Sequence, residues 1–344
     1  MSHPLVSVIV PAYNSAATLD ETLRSVRAQT HRALEVLVVD DGSTDATAAI
    51  VERHAAEDQR VRLIRQPNAG VARARNRAIA EARADLIAPV DADDLWHPEK
   101  IERQLAALGS HPNVGLVYTW FAKIDQQGRI IELEQRNTSE GDVLAALCVS
   151  NIVGHASSPL MLRAAVKSAG GYNESLRAQG AQGCEDNELY LAIASKYDFA
   201  LVREFLVGYR DMPTGMSSDY QQMLRSRDLS VEPTLRLHPE LGGELRLGRA
   251  KMLKWMISRA LRAGDHPSAR ALLVEMMRAS PGAALKYMSQ FAGKRLLRRH
   301  LKQYDPRIGQ HFLSSTDLVG PSIAAHADHD IASTSPNETS KEHT

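Results

Sequence analysis

Cysteine is almost missing: Cys148 and Cys184 are the only two in 344 residues, in no metal-binding spacing. A disulfide framework and a cysteine-held metal are therefore not expected, and both thiols read as packing residues in a reducing compartment. An excess of charge of one sign is missing too, with 41 Lys and Arg against 41 Asp and Glu. No global electrostatic argument for nucleic acid remains. No stretch of 18 or more uncharged apolar residues occurs, so no membrane-spanning helix is expected. The start, Met1-Ser2-His3-Pro4, has neither the basic opening nor the apolar run of a signal peptide, and the expected location is the cytoplasm. What is left is an ordinary globular composition, 44% hydrophobic and 24% charged, long enough for one large domain and an appendage.

The N-terminal part alternates. Leu5 to Val10 is an apolar, β-branched run ended by Pro11, and Asn14-Ser15 is placed to cap a helix bearing Leu19, Leu23 and Val26. Leu34 to Val39 and Val61 to Ile64 read as further strands, each followed by a helix, and Leu86 to Val90 as a fourth. Four strand–helix alternations with short links predict a parallel sheet with right-handed crossovers, an α/β fold. In such sheets ligands bind outside the carboxyl ends of the strands. Those ends carry Pro11-Ala12-Tyr13-Asn14, Asp40-Asp41-Gly42, Asn68-Ala69-Gly70 and Asp91-Ala92-Asp93-Asp94.

The last of these stands out physically. Three acids within four positions repel one another unless something positive sits among them, and hard divalent cations take oxygen ligands. A metal–diphosphate site is one reading; a solvated acidic turn capping the helix expected from Pro98 is the other. The second leaves unexplained why polar and acidic groups collect on one sheet edge only.

Beyond Val114 the pattern becomes mixed, with strands expected around the turn 125–128, near 158–162 and from Phe199 to Tyr209, and a helix opening at Glu185-Asp186-Asn187-Glu188. From about Gln222 to Gln303 it is helical, with Arg249–Arg262 and Ser268–Ala279 expected as an antiparallel pair. Between Gly242 and Lys302 there are 14 Lys and Arg against 3 Asp and Glu. Leu285 to Leu301 reads as a basic amphipathic helix, either the solvated face of a bundle or a contact with an anionic membrane. The expected divisions are 1–220 (halves 4–112 and 113–220), a basic helical extension 221–312, and a disordered tail 313–344.

Taken in order, Val8-Ile9-Val10-Pro11-Ala12-Tyr13-Asn14, Val38 to Asp45, Asn68 to Asn76 and Val90 to Asp94 closely resemble family 2 glycosyltransferases, over residues 4 to 215 or so. The resemblance implies the GT-A fold, a Rossmann-like, mostly parallel sheet flanked by helices, here with a C-terminal helical extension. It also implies inverting transfer from a nucleotide sugar, UDP-sugar by default, with Mn²⁺ or Mg²⁺. The implied donor-binding set is Pro11, Tyr13, Asp41, Arg73, Arg75, Asp91, Ala92 and Asp93. In it Tyr13 lies against the base, Asp41 accepts from the base N–H, Arg75 and Arg73 sit near the diphosphate, Asp91 meets ribose and Asp93 binds the metal. Asp186 matches the general base, with Glu185 beside it, and Arg210 falls in the loop that closes over the diphosphate. Asp211-Met212-Pro213-Thr214 stands where relatives often have a histidine. Implied partners are the nucleotide sugar and a glycan or lipid-linked acceptor in surface polysaccharide synthesis, at the inner face of the cell membrane. A nucleotidyltransferase would need a glycine-rich basic loop after the first strand, which Pro11-Ala12-Tyr13-Asn14 is not. A non-catalytic sugar-nucleotide-binding or scaffold protein is set against the intact acids at 91, 93 and 186.

Overall fold

Seven elements build the first half: β1 (Val6–Ala12), α1 (Leu19–Arg27), β2 (Leu34–Asp40), α2 (Thr47–Glu57), β3 (Val61–Arg65), α3 (Val71–Glu81) and β4 (Leu86–Pro89). The computed structural model describes residues 3–109, 112–134, 137–211, 219–279, 281–282, 284–285, 305–315 and 318–319. The four strands pair in parallel in the order β3-β2-β1-β4. β2 is buried at all seven positions, which is why its sequence is a continuous apolar run rather than an alternating one. Val8 and Val10 of β1 face α1, α2 and their neighbours, while Ile9 faces the cluster with α3 and α8.

The second half adds β5 (Leu95–Trp96), α4 (Lys100–Leu108), β6 (Val114–Ile124), β7 (Ile130–Glu134), α5 (Leu144–Val149), β8 (Leu160–Leu162), α6 (Arg163–Ser168), α7 (Ser175–Ala178), α8 (Glu185–Ala194) and β9 (Asp198–Arg210). β8 runs antiparallel to both β4 and β6 and so joins the halves into one nine-stranded sheet. β6 and β9 pair in parallel over their length, with register shifts.

Three local expectations are corrected. β1 continues through Pro11 to Ala12, since proline at a strand end forfeits only one ladder donor. Thr18, not Asn14 or Ser15, precedes α1, and its hydroxyl donates to the Ala92 carbonyl (2.9 Å) rather than capping the helix. The helix after the acid loop begins at Lys100 instead of Pro98, because β5 intervenes and pairs with β9.

Three helices follow: α9 (Tyr220–Leu237), α10 (Gly242–Arg262) and α11 (His266–Ala279). α10 starts seven residues before the expected Arg249. Arg249 early in α10 bonds Glu275 late in α11 (2.9 Å), as an antiparallel pair requires. Cys184 at the start of α8 donates its N–H to Ser226 of α9 (3.0 Å). Gly248 of α10 lies so close to α5 that a Cβ there would sit 2.2 Å from the Cys148 carbonyl oxygen. The extension is thereby seated on α5 and α8. The basic amphipathic stretch Leu285–Leu301 lies, but for its first residue, outside the described residues. Phe312 and Leu318 are both buried among Leu95, Ile124, Ile130 and Phe205.

Candidate active site

The loops after β1, β2 and β3 are tied into one surface. Asn14, in the left-handed region (φ 48°) that asparagine tolerates, accepts the Thr44 N–H (2.9 Å) and donates its own N–H to Ser43 (3.0 Å). Gly42 has φ +76°, and a Cβ there would meet the Asn68 nitrogen at 2.8 Å, so glycine is required on both counts. Tyr13 is exposed (51%) at the end of β1, beside the half-buried Pro11, with its ring free for a planar partner.

Asp41 is held by the third loop. It is buried, and its carboxylate accepts from Gln66 Nε2 (2.7 Å) and from the main-chain N–H groups of Ala69 (2.9 Å) and Gly70 (2.8 Å). Here it anchors the β3–α3 loop.

The acid loop 91–94 is held from every side. The Ala92 carbonyl, itself in a buried residue, accepts from Thr18 and Thr22 of α1 (2.9 and 3.1 Å). The Asp91 N–H donates to Ser157 Oγ (2.9 Å), which in turn donates to Asp94 Oδ2 (2.5 Å). The Asp91 carboxylate accepts from Arg75 (2.6 Å). Asp94 is fully buried and accepts the Arg210 N–H (2.9 Å). Burial and the neighbouring Asp93 and Asp91 hold its carboxyl well above the usual range.

Arg210, expected over the diphosphate, is instead buried beneath this loop. Its Nε donates to the Asp93 carbonyl (2.7 Å), Nη1 to the carbonyls of Asp125 and Gln126, and Nη2 to Glu21 (2.7 Å). The segment that follows, from Met212 to Ser218, lies outside the described residues.

One carboxylate of the loop remains uncommitted. Among the described residues Asp93 has no side-chain partner, and burial together with Asp91 pushes its pKa up to about 6. Its oxygens suit a hard cation. Among the described residues no three His, Cys, Asp or Glu side chains form a self-sufficient metal cage. The uncommitted Asp93 carboxylate fits one ligand of a hard cation, and Mg²⁺ typically takes one or two carboxylates.

Arg75 links this edge to the start of α8. It is buried, donates to Asp91 and to Glu185 (3.2 Å), and lies 5.1 Å over the Tyr172 ring. Glu185 is buried and also accepts the Gly183 N–H (2.9 Å). Next to it, half-buried Asp186 accepts, among the described residues, only from its neighbour Asn187 (2.7 Å). Burial and Glu185 push the Asp186 pKa up to about 7, with Arg75 opposing and Asp91 adding to the rise. Asp91, bound by Arg75, thus lies between Asp93 and Asp186 electrostatically and raises the pKa of both. Arg73, near the N-terminal end of α3, is exposed, with no hydrogen bond or ion pair among the described residues.

Glu21, His155, Ser157 and Tyr172 were not foreseen. His155 is buried against Phe121 and Tyr209, and burial pushes its pKa down to about 3. Nothing local marks these residues; each matters because of a partner distant in sequence.

A model for "Glycosyl transferase family 2" matches residues 7–167. A putative teichuronic acid biosynthesis glycosyltransferase, TuaG of Bacillus subtilis, is 41% identical over 103 residues, 30% of this chain and 41% of that one. The chain spans 30% of the length of the first two curated relatives it matches and 19% of the third. Among solved structures, S. aureus TarS 1–349 in complex with UDP-GlcNAc superposes with TM-score 0.59 at 18% identity, over 81% of this chain and 82% of that one. Mannosyltransferase PcManGT from Pyrobaculum calidifontis, in complex with GDP-Man and Mn²⁺, gives 0.54 at 22%, over 87% and 89%. These likenesses establish the GT-A fold.

Proposed function

We propose that the chain, whose residues 7–167 match the model for glycosyl transferase family 2, moves a sugar from a nucleoside-diphosphate sugar, UDP-sugar by preference, to a hydroxyl of a glycan or lipid-linked acceptor, with inversion, in polysaccharide synthesis. The observation that carries this is the division of labour among the acids. Asp91 and Asp94 are consumed by Arg75, Ser157 and Arg210, while Asp93 and Asp186 keep carboxylates without a side-chain partner among the described residues.

In this reading Tyr13 stacks on the base, and Arg73 answers the diphosphate from the first turn of α3, the positive end of that helix. Asp93 would hold Mn²⁺ or Mg²⁺, which when bound offsets charge growing on the departing diphosphate. Asp186 takes the proton from the acceptor hydroxyl as its oxygen attacks the anomeric carbon. Arg75 holds Asp91 and Glu185 in place on either side.

A panel of sugar nucleotides tested by thermal shift, with and without Mn²⁺, identifies the donor. Ligand at roughly 100 times its Kd stabilises by about 2.7 kcal/mol, a rise of roughly 5–10 °C for a domain of this size. Asp93→Ala is expected to lose the Mn²⁺-dependent part of that rise. A parental Mn²⁺ titration in this variant would remove Asp93 from the metal.

The α10–α11 pair is proposed to meet an anionic membrane. Its outward positions include Leu247, Lys251, Lys254, Trp255, Arg262, Arg270, Val274, Met277 and Arg278, basic and apolar side chains together. The protein should sediment with vesicles containing anionic lipid and stay behind with zwitterionic ones. Equal recovery with both would refute the contact.

A further inference from the structure

Residues 305–315 return to the catalytic domain and add an edge to the β6–β7 hairpin. The Ile130 N–H donates to Gln310 and the Gly309 N–H to Ile130 (both 2.8 Å), and the Phe312 N–H donates to Gly128 (2.9 Å). Arg129 and His311 form an antiparallel bridge. Phe312 is fully buried against Leu95, Ile124 and Phe205, and a Cβ on Gly208 would meet its ring at 3.0 Å. Leu95 directly follows the acid loop. Next to Phe312, His311 Nε2 bonds Glu21 Oε1 (3.1 Å), whose other oxygen accepts from Arg210 (2.7 Å). Arg210 holds the Asp93 carbonyl and the Asp94 carboxylate.

From this continuous set of contacts we propose that the segment 305–315 is a strap that sets the acid loop, with His311 a positioning residue for Asp93 through Glu21 and Arg210, and Phe312 its anchor. Glu21 sits on α1, whose Thr18 and Thr22 grip the same loop at Ala92, so the strap fixes Glu21 between two supports of Asp93. Without His311, the Glu21 carboxylate keeps only Arg210 as a side-chain partner among the described residues. Arg210, still bonded to the carbonyls of Asp125 and Gln126, then carries the Glu21 carboxylate without a second support, and its hold on the Asp93 carbonyl through Nε loosens.

The reading of Asp93 as donor-side acid underlies the consequence for activity, but the positioning itself is tested apart from it. In His311→Ala, deuterium uptake by amides 91–95 of the ligand-free full chain should quicken about tenfold, as loss of one charge-assisted hydrogen bond implies. Uptake in β2 should stay at the parental rate. His311→Gln, whose amide can donate to Glu21, should restore protection. The Mn²⁺ concentration for half-maximal donor-dependent stabilisation should rise several-fold in His311→Ala, and Glu21→Ala added to it should produce little more. Parental uptake at 91–95 in His311→Ala overturns the strap. Faster uptake in a protein whose parent shows no Mn²⁺ dependence upholds the strap and instead removes the metal from Asp93. Phe312→Ala should quicken the same amides, and a fall in melting temperature without local exchange there would make Phe312 ordinary packing.

Discussion

Asp186→Asn is expected to lower the transfer rate by about 10²–10⁴-fold while donor binding stays parental, since a positioned base contributes only in the transition state. Asparagine keeps the shape and the contact with the Asn187 N–H region but cannot take a proton. The parent should show a pH profile whose acid limb has its midpoint near 7. Burial and Glu185 raise the Asp186 pKa to about 7, and the base works only when ionised, so the rate climbs through that value and levels above it. The variant should lose that limb. Glu185 and Arg75 push Asp186 in opposite directions, so Glu185→Gln should move the limb to lower pH. Single-turnover rates across pH check all of this; a parental rate in Asp186→Asn would reassign the base.

Arg75→Met should be the most destabilising single change in the site. The guanidinium is buried between Asp91 and Glu185, and removing one member of a buried ion pair costs about 3–5 kcal/mol because the partner is left charged and unpaired. The melting temperature should fall by roughly 6–20 °C. In the folded fraction the acid limb of the rate should shift to higher pH, since Arg75 is the cation that keeps Asp186 ionised. Unchanged melting would mean that Asp91 and Glu185 find other partners and that the link between the halves lies elsewhere.

Much of this was legible in the chain. The β-branched runs 6–10, 34–39 and 86–90 are buried on both faces, and burial on both faces is what forces an unbroken apolar sequence, so the parallel sheet could be read off directly. The collection of Tyr13, Asp41 and the acid loop on one sheet edge followed from that topology. What each acid does could not be read. Asp91, Asp93 and Asp94 are chemically alike, and they are told apart by Ser157, 63 residues from Asp94, and by Arg210, 116 residues from it. Arg210 itself looks like a diphosphate ligand until its donors are seen to be spent on main-chain carbonyls and Glu21. The strap was illegible for a different reason: Ile308, Phe312-Leu313 and Leu318-Val319 are scattered singles and pairs between polar residues, too short and too irregular to make a helical or strand period.

Asp41 has a bearing on how this surface can vary. A single carboxylate clasps the main chain of Ala69 and Gly70, so the second and third loops of the sheet edge behave as one piece of fixed length. Inserting or deleting a residue in 66–70 would withdraw one of the clasped amides and unfasten both loops together. In the proposed reading of Tyr13, a different nucleobase would therefore be met by substitution of the exposed ring at position 13 rather than by a change in these loops.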